Sequence, residues 1–131
     1  MNIILKTVYL ITGLAGIGKS IISHVLAGHL DGNEEVETAM LRETEEEAGI
    51  KISLGDLKTV GVMHRNSGHD ERIDFFLTAS RWDGSIRNME RNKCDALLWA
   101  NINELPYNVI TFIKKAILNH LNGKYFDSFG W

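Results

Sequence analysis

The feature that most restricts this chain is a helix-length stretch whose core-facing stripe turns acidic halfway along. Residues 36–48, VETAMLRETEEEA, read as one helix, because Gly49 stands where a helix stops and apolar Ile50 opens the next segment. At about 100° per residue, Val36, Ala39 and Met40 share a face, and Glu43, Glu46 and Glu47 continue it. Like charges at that spacing repel by roughly a few tenths of a kcal/mol when exposed, and by more when partly buried. A fold that packs this helix must therefore neutralise carboxylates at the edge of its core. A hard divalent cation does so directly, since Mg²⁺ takes carboxylate oxygens. The plain alternative is a solvated acidic face, the usual reading of a Glu run. Against it, Arg42 lies eight residues after Glu34 and four before Glu46, where it neutralises both ends of the helix.

The whole spacing, Gly28-x5-Glu34-x7-Arg42-Glu43-Thr44-Glu45-Glu46-Glu47-Ala48-Gly49-Ile50, resembles the Nudix box, G-x5-E-x7-R-E-U-x-E-E-x-G-U with U bulky and apolar. Thr44, at an apolar position, is the departure within the box. The resemblance spans residues 24–122. It implies a pyrophosphohydrolase that cleaves a nucleoside diphosphate linked to a group X, using Mg²⁺ or Mn²⁺ on a loop–helix–loop. The implied fold is α/β, a mixed β-sheet between α-helices. Its N-terminal strands are expected to be shortened, because only 27 residues precede Gly28.

Carried over residue by residue, the resemblance puts Glu43, Glu46 and Glu47 on the metal, with the Ala27 carbonyl as a further ligand. Glu34 and Arg42 become braces of the loop–helix–loop, with Gly28 and Gly49 as its hinge points. Related enzymes often add a carboxylate from a loop outside the box. Glu90 and Asp95 are the candidates here, Glu90 the favoured one, and an exposed loop acid is the plain reading of either. His29 beside Gly28, and His64, Arg65 and Arg72 around a hairpin, are candidate substrate contacts, as is Asp95. Strand-end surface positions are the plainer reading of the hairpin three. No His cluster has metal-ligand spacing.

A second motif competes. Gly13–Ser20, GLAGIGKS, fits the P-loop pattern G-x4-G-K-[ST] and follows the β-branched run 3–11, IILKTVYLI. A working P-loop requires a helix opening at Lys19 and a succession of βα units, for which 131 residues leave little room. The other reading is a glycine-rich turn between two strands, with IISHVL as the second. Strand or helix over residues 21–27 decides between the two.

Downstream, Lys51–Leu57 reads as a connection, Lys58–His64 and Arg72–Ser80 as an antiparallel hairpin, and Trp82–Met89 as a loop. Phe75 and Phe76 fall on opposite strand faces, one in the core and the other toward a cleft. Asp95–Ala100 reads as a strand, and Asn103–Asn122 as an apolar-faced helix stopped by Gly123. The aromatic tail KYFDSFGW is expected to fold back over the domain.

One domain over 1–131 accommodates this length. A net charge of −3 excludes a general nucleic-acid-polymer binder, and no apolar run reaches membrane-spanning length. The single Cys94 excludes an internal disulfide and fits a reducing cytoplasm. The partner that the Nudix resemblance implies is a small-molecule nucleotide, and a monomer or a homodimer that completes a short sheet edge is expected. The expected reaction is Mg²⁺-dependent hydrolysis of a nucleoside triphosphate, possible oxidised forms included, to monophosphate and pyrophosphate. A P-loop kinase or ATPase and a non-catalytic Nudix-like nucleotide-binding module are the alternatives.

Overall fold

The computed structural model describes residues 5–13, 19–29, 33–90, 92, 99–101, 104, 105, 107 and 109–131; for 5–13, 19–29 and 99–101 it describes the backbone. In chain order the elements are β1 (Leu5–Gly13), β2 (Lys19–His29), α1 (Val36–Ala48), β3 (Leu57–Asn66), β4 (Glu71–Ala79), β5 (Trp99–Asn101), α2 (Thr111–Leu121) and β6 (Phe126–Phe129). A 3₁₀ turn, Leu54–Asp56, leads into β3.

The strands form one mixed sheet in the order β5-β2-β1-β4-β3-β6. β1 runs parallel to β4 and β3 parallel to β6, while the remaining neighbours are antiparallel. The β3–β4 hairpin turns over Ser67–Asp70, where Ser67 N donates to the Asp70 carbonyl at 3.0 Å and Gly68 N to Asn66 Oδ1 at 2.8 Å. A bulge between Thr59 and Gly61 resets the register of β3 against β4.

Alternation along β4 divides the buried side chains between two cores. Leu77 and Ala79 join Ala39, Met40, Ala48, Ile50, Ile52 and Leu57 beneath α1. Phe76 and Met63 meet Ile113, Ala116 and Ile117 of α2. Phe75 packs against the α1 core. Phe76 is thus the buried core residue of the pair, and Phe75, partly buried, lies on the α1 side of the sheet.

Two expectations are corrected here. The N-terminal strands are not short: β1 has nine residues and β2 eleven. Residues 14–18 lie outside the described residues. The second helix opens at Thr111, eight residues after Asn103, with Ile110 as an extended N-cap residue. Leu105 and Val109 still pack on the α2 core, but from outside the helix, so their apolar spacing mimicked a longer one.

The tail forms β6 and continues the sheet, with Val62 N donating to the Tyr125 carbonyl at 2.8 Å. Asp127 fastens it to α2: its carboxylate accepts from Asn119 Nδ2 at 2.9 Å and lies 3.2 Å from both Lys115 Nζ and Lys124 Nζ. Burial raises this carboxyl's pKa, but hydrogen bonds from Asn119, the Ser128 amide, Lys124 and Lys115 outweigh it and hold the group well below the usual carboxylate range.

Candidate active site

The acidic helix α1 packs on β2 and β1 and is the next element after β2 in the chain. Its buried stripe runs through Ala39, Met40, Thr44 and Ala48, with the acids along its flank. Thr44 is fully buried, and its hydroxyl donates to the Leu41 carbonyl at 3.0 Å. That back-bond satisfies the polar atom, and the methyl group fills the apolar position of the box.

Arg42 organises the flank. Its Nη2 lies 2.8 Å from Glu34 Oε1 and its Nε 3.3 Å from Glu34 Oε2, a two-point grip. Its Nη1 lies 2.7 Å from Glu43 Oε1 and 3.4 Å from Glu46 Oε2. The hydrogen bond to Glu34, working against partial desolvation and helped by Glu43, holds this guanidinium above even its usual high pKa. The side chains of Glu34 and Glu43 are only 14% and 12% exposed, whereas Glu46 is 54% exposed, so the acids grade from braced to open.

At its C-terminal end α1 is strapped to the loop before residue 90. Gly49 caps the helix in the left-handed region, φ 66°, and returns its amide to the Glu45 carbonyl. Arg87 N donates to the Ala48 carbonyl at 2.9 Å and Met89 N to the Glu47 carbonyl at 3.0 Å. A Cβ on Gly49 would stand 3.2 Å from Met89 Sδ, and one on Gly84 would stand 3.5 Å from the Gly49 carbonyl oxygen. The missing Cβ at Gly49 lets Met89 lie against the helix end, while Gly84 serves through its left-handed φ of 92°. Glu90 is thereby fixed one residue beyond an amide bonded to Glu47, with its own amide on Asn88 Oδ1 at 3.1 Å.

The other candidates separate. Arg65 is buried, its Nε 2.6 Å from Asp74 Oδ2 and its guanidinium 3.9 Å over the Phe112 ring, on the α2 face. Arg72, its register partner, pairs with Asp70 at 2.9 Å. Neither is brought to the acidic helix, because strand alternation turns both to the opposite face of the sheet. His64 Nε2 is 2.6 Å from Glu71 Oε1, and its ring lies 4.7 Å from that of Trp131, whose Nε1 donates to the His64 carbonyl. Ala27, Gly28 and His29 close β2 opposite Tyr9, Val8 and Thr7. Asp95 lies outside the described residues. The strap was not legible in the sequence; its one trace was the spacing of Gly84 to Gly49, meaningful only in three dimensions.

Lys19 and Ser20 settle the competing motif. Both lie in β2, paired antiparallel with β1 (Gly13 opposite Ser20) and with β5 (Lys19 opposite Asn101). A phosphate-cradling loop needs a helix opening there, so the P-loop reading is excluded.

The family model for the NUDIX domain matches residues 13–121. The chain belongs to the Nudix family. Its enzyme class is accordingly that of the Nudix pyrophosphohydrolases. Solved structures agree in fold. A MutT NUDIX hydrolase from Burkholderia pseudomallei is 21% identical with a TM-score of 0.72, over 86% of this chain and 96% of that one. The E. coli ORF135 protein is 18% identical with a TM-score of 0.76, over 92% and 91%. The mutator MutT protein from Bacillus halodurans is 16% identical with a TM-score of 0.74, over 94% and 86%. A comparison with curated proteins returns no match. Among the described residues no helix is long and apolar enough to cross a membrane.

Nudix enzymes work with divalent metal, and the donor set here suits one. Glu43 and Glu46 present hard oxygens to a single cationic nitrogen of Arg42, so two carboxylates already converge on one positive point. Among the described residues no three acidic, His or Cys side chains converge further into a closed metal cage.

Proposed function

We propose that this Nudix pyrophosphohydrolase hydrolyses a nucleoside triphosphate, oxidised forms included, to the monophosphate and pyrophosphate, with Mg²⁺ held by Glu43, Glu46, Glu47 and the Ala27 carbonyl. The observation that carries this reading is the pair of carboxylates, Glu43 and Glu46, sharing Arg42 Nη1 at 2.7 and 3.4 Å. The GHLDGNE form of the box loop, residues 28–34, supports the triphosphate preference by its likeness to Nudix members that act on such substrates.

When bound, the ion neutralises the diphosphate and supplies a water of lowered pKa. The chain's own residues do the rest by placement. Arg42 and Glu34 brace the loop–helix–loop, and their two-point contact ties the segment ahead of α1 to the middle of the helix, beside Glu43. Glu90, strapped beside Glu47, accepts the proton of the attacking water. Water oxygen bonds to phosphorus as the α,β-bridging P–O bond breaks, and the group on the far side of that bond leaves with its electron pair.

The test is product analysis on the ordinary and oxidised nucleoside triphosphates with Mg²⁺. Monophosphate and pyrophosphate in equal amounts are expected from at least one of them. Diphosphate and orthophosphate as products, or no turnover of the whole panel, contradicts the proposal.

A further inference from the structure

We infer that Arg87 is a substrate contact that takes a phosphate of the polyphosphate chain, seated for that purpose on Gly49; this rests on the pyrophosphohydrolase reading. A polyphosphate approaching Glu43, Glu46, Glu47 and Glu90 meets like charge, so cations must flank its path. The protein cations near this helix are mostly committed. Arg42 is spent on Glu34, Glu43 and Glu46, and Lys51 lies 3.8 Å from Glu45. Arg87 is exposed, and among the described residues its guanidinium has no hydrogen-bond or ion-pair partner.

Its backbone is nevertheless held at the end of α1. Its amide is bonded to the Ala48 carbonyl, and its Nη2 stands 3.5 Å from where a Gly49 Cβ would be. Met89 occupies the other part of the same seat. The plainer role, satisfying the last carbonyls of α1, is already filled: Gly49, Met89 and Arg87 amides take those of Glu45, Glu47 and Ala48. The guanidinium therefore keeps its fork of donors for a ligand, and that fork matches phosphate oxygens two at a time.

The experiment is calorimetric binding of α,β-methylene analogues of the nucleoside triphosphates with Mg²⁺, for wild type, Arg87→Ala and Arg87→Lys, alongside thermal melts. The inference predicts at least about tenfold weaker binding for Arg87→Ala, partial recovery for Arg87→Lys, and unchanged melting. A stability change with unaltered affinity marks a purely structural residue and overturns it. Equal binding by wild type and Arg87→Ala also overturns it, while leaving the pyrophosphohydrolase reading intact. Failure of wild type to bind any analogue overturns that reading and the inference together.

Discussion

Removing the Arg42 guanidinium would leave Glu34 and Glu43, both mostly buried, without the cation that separates them. Breaking one partner of a buried ion pair costs about 3–5 kcal/mol; with Arg42 itself 31% exposed, solvent screening reduces this. Arg42→Ala is expected to lose about 2 kcal/mol in urea denaturation. Arg42→Lys should recover only part, since one ammonium cannot grip Glu34 at two points and hold Glu43 as well. A loss below about 0.5 kcal/mol for Arg42→Ala would show that the contacts in this cluster are those of an ordinary surface pair. At the same scale Thr44 shows why a box departure is tolerated: the Leu41 carbonyl takes its hydroxyl, so the buried position stays satisfied.

At the scale of elements, Gly49 joins α1 to the strap that carries Arg87, Met89 and Glu90. Gly49→Ala meets both a left-handed φ of 66° and the Met89 thioether at 3.2 Å. It should cost about 1–2 kcal/mol from the backbone alone. It should also lower kcat more than the stability loss explains, because Glu90 moves with the strap. Unchanged kcat in a folded Gly49→Ala protein would separate the strap from catalysis. The β3–β4 pair makes a second case. Asp74→Ala strands Arg65 in the α2 core and should cost about 3 kcal/mol, whereas the double change Asp74→Leu with Arg65→Met should cost less. Both folded variants should keep wild-type KM, and a raised KM would return Arg65 to the substrate. These elements also show what sequence could and could not reveal. The box, the hairpin and the two-strand reading of residues 3–26 rest on local spacing and patterning, and the structure has all three elements. The strap, the late start of α2 and the placement of Arg65 depend on which surface covers each face, which local spacing does not encode. GLAGIGKS matched a phosphate loop for the same reason: the letters alone do not say that Lys19 and Ser20 lie in a strand, with Ser20 paired antiparallel to Gly13.

For the whole molecule, β6 and its Asp127 anchor close the sheet on the side away from β5. Because the folded-state pKa of Asp127 is depressed, its contribution to stability is present above the ordinary carboxylate pKa of about 4 and fades as pH falls through the folded value. Asp127→Asn should therefore be less stable than wild type at neutral pH, and the gap should narrow as pH drops below about 4 in melts followed by circular dichroism. A gap independent of pH would remove the charge from that explanation. At the same scale, the proposed function makes the acidic edge of α1 the chemical centre, with the two-faced sheet as the platform that holds it. The most direct test of that claim is pyrophosphate release from a nucleoside triphosphate panel, titrated with Mg²⁺, for wild type and Glu46→Gln. Wild type should turn over at least one substrate in a Mg²⁺-dependent manner, and Glu46→Gln should lose about 100-fold or more in kcat, the scale expected when a charge-stabilising group is removed. Turnover unchanged by Glu46→Gln, or indifferent to Mg²⁺ removal, would contradict the assignment of these carboxylates to the metal.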